Sequence, residues 1–434
     1  MLVRTFVFIY SVLLCLSNTS FAEEKAETLP EPLTLEYALS MADRYHPDLA
    51  IVEADVQQAQ ANVLHADASD DLDIRLRARA QWIEPAKYTL FRETEDHQLS
   101  LLVDKTLYDF GQQASQQQVA KNNLQSQQYT YLDARQNRRL DITRRYFDVL
   151  LADLLFYRYN EEMASAFVNV DKLRERHKVG QVGELEILKQ ETHYQKMRRL
   201  RIASRNNQRL TRSALAIAMG NPKLIPDTLA KPELVILNKK IPELEILQKQ
   251  AIAQSPTIKA LRARLTAAQQ SVAAARKSDN PVLKAQLEAH SYTRETGSTD
   301  PWRAGFVLDI PLSRGGRTDA EVAKQKANLY QVQSRVKKAK TVLQHRVLAL
   351  WLEMESMKIK RDEARALSEY SELYMDKSRT LYEMEVQSTL GDAMITITKS
   401  QFEALKADLD LAYAWKRMDA LIGNMMPGDM ITEQ

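Results

Sequence analysis

Residues 71–82 read Asp-Leu-Asp-Ile-Arg-Leu-Arg-Ala-Arg-Ala-Gln-Trp and alternate without a break. Asp71, Asp73, Arg75, Arg77, Arg79 and Gln81 are polar, whereas Leu72, Ile74, Leu76, Ala78, Ala80 and Trp82 are apolar. A period of two belongs to a strand with one wet and one apolar face; a helix would scatter the three arginines around its axis. Three further stretches follow the same rule. In 97–107, Leu99, Leu101 and Val103 oppose Gln98, Ser100 and Asp104, with Leu102 an exception on the polar side. In 282–292, Leu283, Ala285, Leu287 and Ala289 oppose Lys284, Gln286, Glu288 and His290. In 302–310, Trp302, Ala304, Phe306, Leu308 and Ile310 oppose Arg303, Gly305 and Asp309, with Val307 the exception. Each stretch has about the 9–11 residues that a tilted strand needs to cross a bilayer.

The remainder predicts helix. The chain has 434 residues but only 11 glycines and 13 prolines, and 27% of it is charged; such usage favours long helices. Residues 1–22 read as a secretory signal peptide: Arg4, an apolar run from Phe6 to Leu16, then the small-x-small site Ser20-Phe21-Ala22. That run is too short to span as a helix, and no other stretch reaches 18 consecutive apolar residues. The single cysteine, Cys15, lies inside the signal behind Leu14, not behind the small residue a lipidation site wants. The mature chain then lacks both disulfides and thiolate ligands. A net charge of +3 without a basic stripe argues against nucleic acid as a partner.

The chain is internally duplicated. Leu49, Val52, Val56, Ala59, Val63 and Ala66 step by three and four, a narrow coiled-coil seam. Ile258, Leu261, Leu265, Ala268, Val272 and Ala275 repeat that seam 209 residues on (258 − 49), and Pro256 follows Pro47 by the same interval. Past the hairpins the offset is 205, aligning Gly111 with Gly316, and then 203, aligning Gly220-Asn221 with Gly423-Asn424. A repeat of this kind is read before any single motif. The expected organisation is a signal peptide at 1–22, a first repeat at 23–220 with its hairpin at 71–107, and a Pro-rich linker at 221–242. A second repeat follows at 243–424 with its hairpin at 282–310, then a polar tail at 425–434. Thr34 is expected to cap a short first helix and Pro47 to open the next, which runs to about Ala68. A short strand is expected at Leu234–Leu237. No proline or glycine falls between Gln112 and His177 or between Thr318 and Leu390, so each repeat predicts a rod of roughly 100 Å. Lys178–Gly183 and Val386–Gly391 break the rods once per repeat, with a new helix starting at Glu184.

Four membrane strands cannot close a barrel, and lipid does not tolerate open sheet edges. The chain must therefore pool strands with other copies, polar faces lining a lumen and apolar faces meeting lipid. Trp82 and Trp302 fall at the loop ends of their strands near Tyr88, Phe91 and Tyr292, and Tyr108 and Phe110 fall at the other end, as interfacial aromatics do. The candidate lumen residues are Arg75, Arg77, Arg79, Asp104, Lys284, Glu288, Arg303 and Asp309. The three arginines of the first strand have two readings: they bias the pore toward anions, or they pair with Asp104, Glu288 and Asp309. The seams suit helices packed in pairs around a hollow; a solid periplasmic coiled coil is the other reading of the rods.

Strand hairpin, Leu-x-x-x-Gly, long helix, tip, long helix and Gly-Asn occur in that order twice. Thr106-Leu107-Tyr108-Asp109-Phe110-Gly111, Pro311-Leu312-Ser313-Arg314-Gly315-Gly316-Arg317 and the two Gly-Asn ends carry the order. It resembles the TolC-like outer membrane efflux protein family over about 33–424. The resemblance implies a mainly α chain with membrane β: a duplicated long-helix coiled-coil tunnel continuing into a β-barrel pooled from three subunits. It implies an equatorial region around the linker and an outer membrane location with a periplasmic extension. It also implies docking to a periplasmic adaptor and an inner-membrane transporter, as an exit for drugs or, in type I secretion, proteins.

The resemblance implies a tunnel closed at its periplasmic end by interhelical bonds, with inward acids just after the second tip in some members. The 205 offset matches Glu186 to Gly391. Gly391 stands where the first gate acid falls, Met394 where the second falls, and Gln387 where a tip arginine falls. Asp392 is the nearest acid, so Asp392 and Glu186 are the candidate gate, and Gly180, Gly183, Gln387 and Gly391 the candidate adaptor-facing tips. The plainer reading of Asp392 and Glu184 is a helix-start acid that complements the dipole, and Glu186 stays open between the two. No enzyme motif appears: the seven histidines are scattered, with neither a His-Glu-x-x-His helix nor a phosphate-cradling glycine loop. Neither a catalytic residue, a cofactor nor a metal site is expected. The competing function is a periplasmic coiled-coil adaptor or structural protein without lipid-facing strands.

Overall fold

The computed structural model describes residues 29–69, 71–90, 92–294, 300–384 and 390–424. The expected signal peptide and tail, with Cys15, Phe91 and Gln387, lie outside the described residues. A short helix α1 (Leu35–Ser40) opens at Thr34, whose Oγ1 accepts from the Tyr37 N–H at 3.2 Å. Helix α2 (Pro47–Ala68) opens at Pro47, where the ring's fixed φ suits a first turn and the missing N–H costs nothing.

Two rods dominate the molecule. Helices α3 (Gln112–Lys178) and α7 (Arg317–Glu383) each run 67 residues, about 100 Å at the helical rise. Each is entered through a left-handed glycine, Gly111 at φ 79° and Gly316 at φ 77°, a conformation that glycine adopts without steric cost. Helix α4 (Glu184–Ala218) returns along α3, and α8 (Leu390–Leu421) returns along α7 while also packing on α3. Helices α5 (Leu244–Gln254) and α6 (Pro256–Arg276) complete the second repeat, α6 lying against both rods.

The segment expected as a strand at Leu234–Leu237 is instead a 3₁₀ turn, Val235–Asn238. Its β-branched residues have no strand to pair with, and the turn buries Leu237 in the apolar cluster. The extended pairing in the linker lies elsewhere, in a parallel bridge between Leu33 and Leu229. Leu33, Tyr146, Leu247, Val347 and Trp415 meet in one buried cluster that ties α1, the linker and α5 onto one side of the rods.

The strands form one antiparallel sheet of order β1 (Asp73–Arg79), β2 (Gln98–Tyr108), β3 (Val282–Tyr292) and β4 (Trp302–Asp309). The β2–β3 pairing joins the two repeats. β1 is shorter than its alternation, because pairing with β2 stops at Arg79–Gln98 and resumes only as an isolated Trp82–Glu95 bridge. A bulge between Thr106 and Tyr108 turns Tyr108 opposite Leu283. No helix among the described residues is long and apolar enough to cross a membrane.

Candidate functional site: sheet face and helical tips

The register fixes the two faces of the sheet, since partners across a ladder share a face. Arg75 lies opposite Leu102, Arg77 opposite Ser100 and Arg79 opposite Gln98. Ser100 in turn faces His290, Leu102 faces Glu288, and Glu288 faces Arg303. Asp104 stands opposite Asp73 and Gln286, Lys284 opposite Thr106 and Val307, and Asp309 opposite Val282. All eight candidate lumen residues thus share one face. The other face carries Ile74, Leu76, Leu101, Leu287, Phe306 and Leu308, with Ile74 62% and Phe306 75% exposed. An open apolar surface of this extent needs a partner. Lys105, opposite Ala285 on this face, breaks the alternation.

Of the three β1 arginines, only Arg75 makes one of the expected pairs. Arg75 Nη2 pairs with Asp104 at 2.5 Å and its Nε with Asp73 at 3.3 Å. Arg303 pairs with Glu288 at 3.2 Å. Arg77, Arg79, Lys284 and Asp309 make no ion pair among the described residues. His290, already on the polar face by its alternation, forms a further link: its ring contacts Ser100 Oγ at 2.9 Å and Glu288 at 3.3 Å. The face therefore keeps three unpaired cations and one unpaired acid. Near the loop end Trp82 packs edge-on against His97, with ring centroids 5.3 Å apart.

The two tips are built differently. At the first, Gly180 is left-handed (φ 75°), its N–H donates to His177 O and the Gln181 N–H to Arg176 O. These bonds satisfy the last carbonyls of α3. Nothing lies within 4 Å of where a Cβ would stand on Gly180 or Gly183. Gly391 is not free in that way: a Cβ there would sit 3.0 Å from Ser165 Oγ of α3. Its lack of a side chain lets the first turn of α8 close on the flank of that rod. Asp392 is exposed in that first turn and makes no ion pair among the described residues. Glu186 is exposed in the first turn of α4, 3.9 Å from Lys189. Among the described residues no cluster of His, Cys, Asp or Glu could hold a metal ion.

One feature of the repeats is not visible as a motif. Each Gly-Asn end is a joint at which two helices meet. A Cβ on Gly220 (φ 89°) would lie 3.1 Å from the Tyr45 carbonyl oxygen, just before α2. A Cβ on Gly423 (φ 74°) would lie 2.8 Å from the Gln254 carbonyl oxygen, just before α6. Tyr45 and Gln254 are themselves 209 residues apart.

Paired rods about 100 Å long that end in a two-faced, open-edged sheet define a class, long helical rods carrying a sheet of two hairpins. Within that class the chain is similar to the TolC-like outer membrane efflux proteins. Residues 247–424 match the model of the family described as outer membrane efflux protein. In fold, the chain is similar to the Campylobacter jejuni CmeC outer membrane channel, with a TM-score of 0.77 at 16% identity over 94% of this chain and 90% of that one. It is similar to the Vibrio cholerae outer membrane protein VceC at a TM-score of 0.72 and 15% identity, over 90% of this chain and 96% of that one. For the open state of the Neisseria gonorrhoeae MtrE outer membrane channel the values are 0.70 and 15%, over 90% and 89%. No curated protein matches the sequence.

Proposed function

We propose that the chain is the outer membrane channel of an export duct, working as a homotrimer. Three sheets, edge to edge, close a twelve-stranded barrel, and the rods continue it as a periplasmic tunnel. The observation that carries this reading is the sheet itself: an apolar face left open together with two unpaired edge strands, β1 and β4. In water such edges invite uncontrolled pairing; in lipid they must be closed by strands from other copies. A periplasmic adaptor would have no use for an open apolar face of this kind. The match of 247–424 to an efflux family and the likeness in fold to three outer membrane proteins support the same reading.

The duct receives its cargo from an inner-membrane transporter through a periplasmic adaptor that grips the tips, as part of a tripartite efflux system or of type I secretion. The first tip, exposed at Val179, Gly180 and Gln181, is the surface offered to that adaptor. Q181C, in a mature chain otherwise without cysteine, tests this. Cross-linking in intact cells is expected to give a product in the outer membrane fraction that contains a periplasmic adaptor. Recovery of the protein from the soluble periplasm would overturn the duct.

A further inference from the structure

The second joint leaves a gap. Helix α8 ends at Leu421 and α6 begins at Pro256, and the rods α3 and α7 wall the space between them. The result is a pocket of about 670 Å³, within the usual range for small-molecule sites. Its apolar floor is formed by Leu140, Ile258, Val342, Leu350 and Leu421. Its rim is cationic. Arg335, Lys338 and Arg346, three positions on one face of α7, make no ion pair or side-chain hydrogen bond among the described residues. The other rim charges are engaged: Arg417 pairs with Glu353 at 3.1 Å, and Asp133 accepts from Thr257 Oγ1 at 3.0 Å.

We infer that this pocket binds an amphipathic anion, a compact apolar body bearing one carboxylate, sulfonate or sulfate. The apolar floor buries the body, and the unpaired cations offer an anionic head a partner that the chain does not supply. Its outlook follows from the fold. Trp415 and Met418 of α8 are buried toward the cluster that holds α1, the linker and α5, whereas Arg417 and Ala420 line the pocket from the other side of the helix. A closed ring of rods has room for that extra layer only on its outside, so the pocket opens toward the tunnel. This orientation rests on the duct reading and makes the pocket a resting point for anionic amphiphiles in transit, one per subunit.

The test is equilibrium dialysis of the maltoside-solubilised protein with 2-naphthalenesulfonate, which is small and does not form micelles. Saturable binding of one molecule per chain is expected, with 2-naphthalenemethanol, the uncharged analogue, binding about tenfold more weakly or worse. R335Q/R346Q, at two exposed side chains, should lose about tenfold in affinity. V342E, which sets a carboxylate in the floor, should abolish binding while the protein still reaches the outer membrane. Unchanged affinity in both variants, or equal binding of the uncharged analogue, would overturn the site. Conductance of the same protein in planar bilayers reads the duct separately: sulfonate binding by a protein that forms no pore would uphold the pocket and sink the duct.

Discussion

The bare Cα of Gly423 faces the carbonyl oxygen of Gln254 so closely that a Cβ would stand 2.8 Å away. Two elements separated by most of the second repeat are thus butted end to end, and the second row of short helices behaves as one interrupted rod beside α7. Both the left-handed φ of 74° and the contact exclude a side chain. G423A is expected to lower stability by about 2 kcal/mol. G315A, at φ 58° with nothing within 4 Å, carries only the backbone strain, about 1 kcal/mol. Thermal unfolding of the two variants side by side separates contact from strain; equal losses would show that the Gln254 contact contributes nothing.

Tyr146 pins the linker to the rod. Its hydroxyl lies 2.7 Å from Leu33 O and 2.6 Å from Ala230 O. Burial first, and then the charge of Glu36, push its pKa from 10.0 up to about 12, against the bond to Ala230. A folded-state pKa above the unfolded value means the contribution is complete below about pH 10 and is lost as pH rises toward 12. Y146F should cost about 1 kcal/mol at neutral pH and flatten the decline of stability between pH 10 and 12. A variant whose alkaline profile overlays the parent would show that another group sets it.

The strands and rods were legible because each follows from a local pattern. β3 spans Val282–Tyr292, the limits its alternation sets, and α3 runs through the whole stretch free of glycine and proline, whereas α7 ends at Glu383, short of Gly391. Leu234–Leu237 misled because a short β-branched run reads as strand whether or not a partner strand lies beside it. The joints were half legible: the Gly-Asn ends marked helix stops, but Gly423 against Gln254 is a contact between distant segments. The pocket was invisible for the same reason, since its walls come from α3, α6, α7 and α8 and no local pattern links Arg335, Lys338 and Arg346 to Ile258 or Leu421. At the second tip the repeat offset placed Gly391 by position only; the packing of its Cα on Ser165 supplies a physical use for glycine there.

Leu76 lies on the apolar face of β1, 70% exposed in the single chain. L76R should reduce outer membrane assembly, because an arginine on a lipid face near the bilayer midplane costs about 2–4 kcal/mol per subunit. R77A, one position along and on the opposite face, should assemble as the parent does. The yield of folded protein in the outer membrane fraction decides it, and normal assembly of L76R would mean that this face does not meet lipid.

In the proposed barrel the polar face is expected to set selectivity through the charges that stay unpaired. Arg75 is held by Asp104 and Asp73, and Arg303 by Glu288. Arg77, Arg79 and Lys284 then stand against Asp309 alone, so a barrel lined by three such faces favours anions. R77A/R79A should move the reversal potential in a potassium chloride gradient toward cation preference. D104N should move it the other way, since Arg75 keeps only its 3.3 Å contact with Asp73. The opposite signs are the point of the pair: a wide pore that averages its lining would respond to neither, and an entrance at the far end of the tunnel that controls selectivity would leave both variants at the parent value.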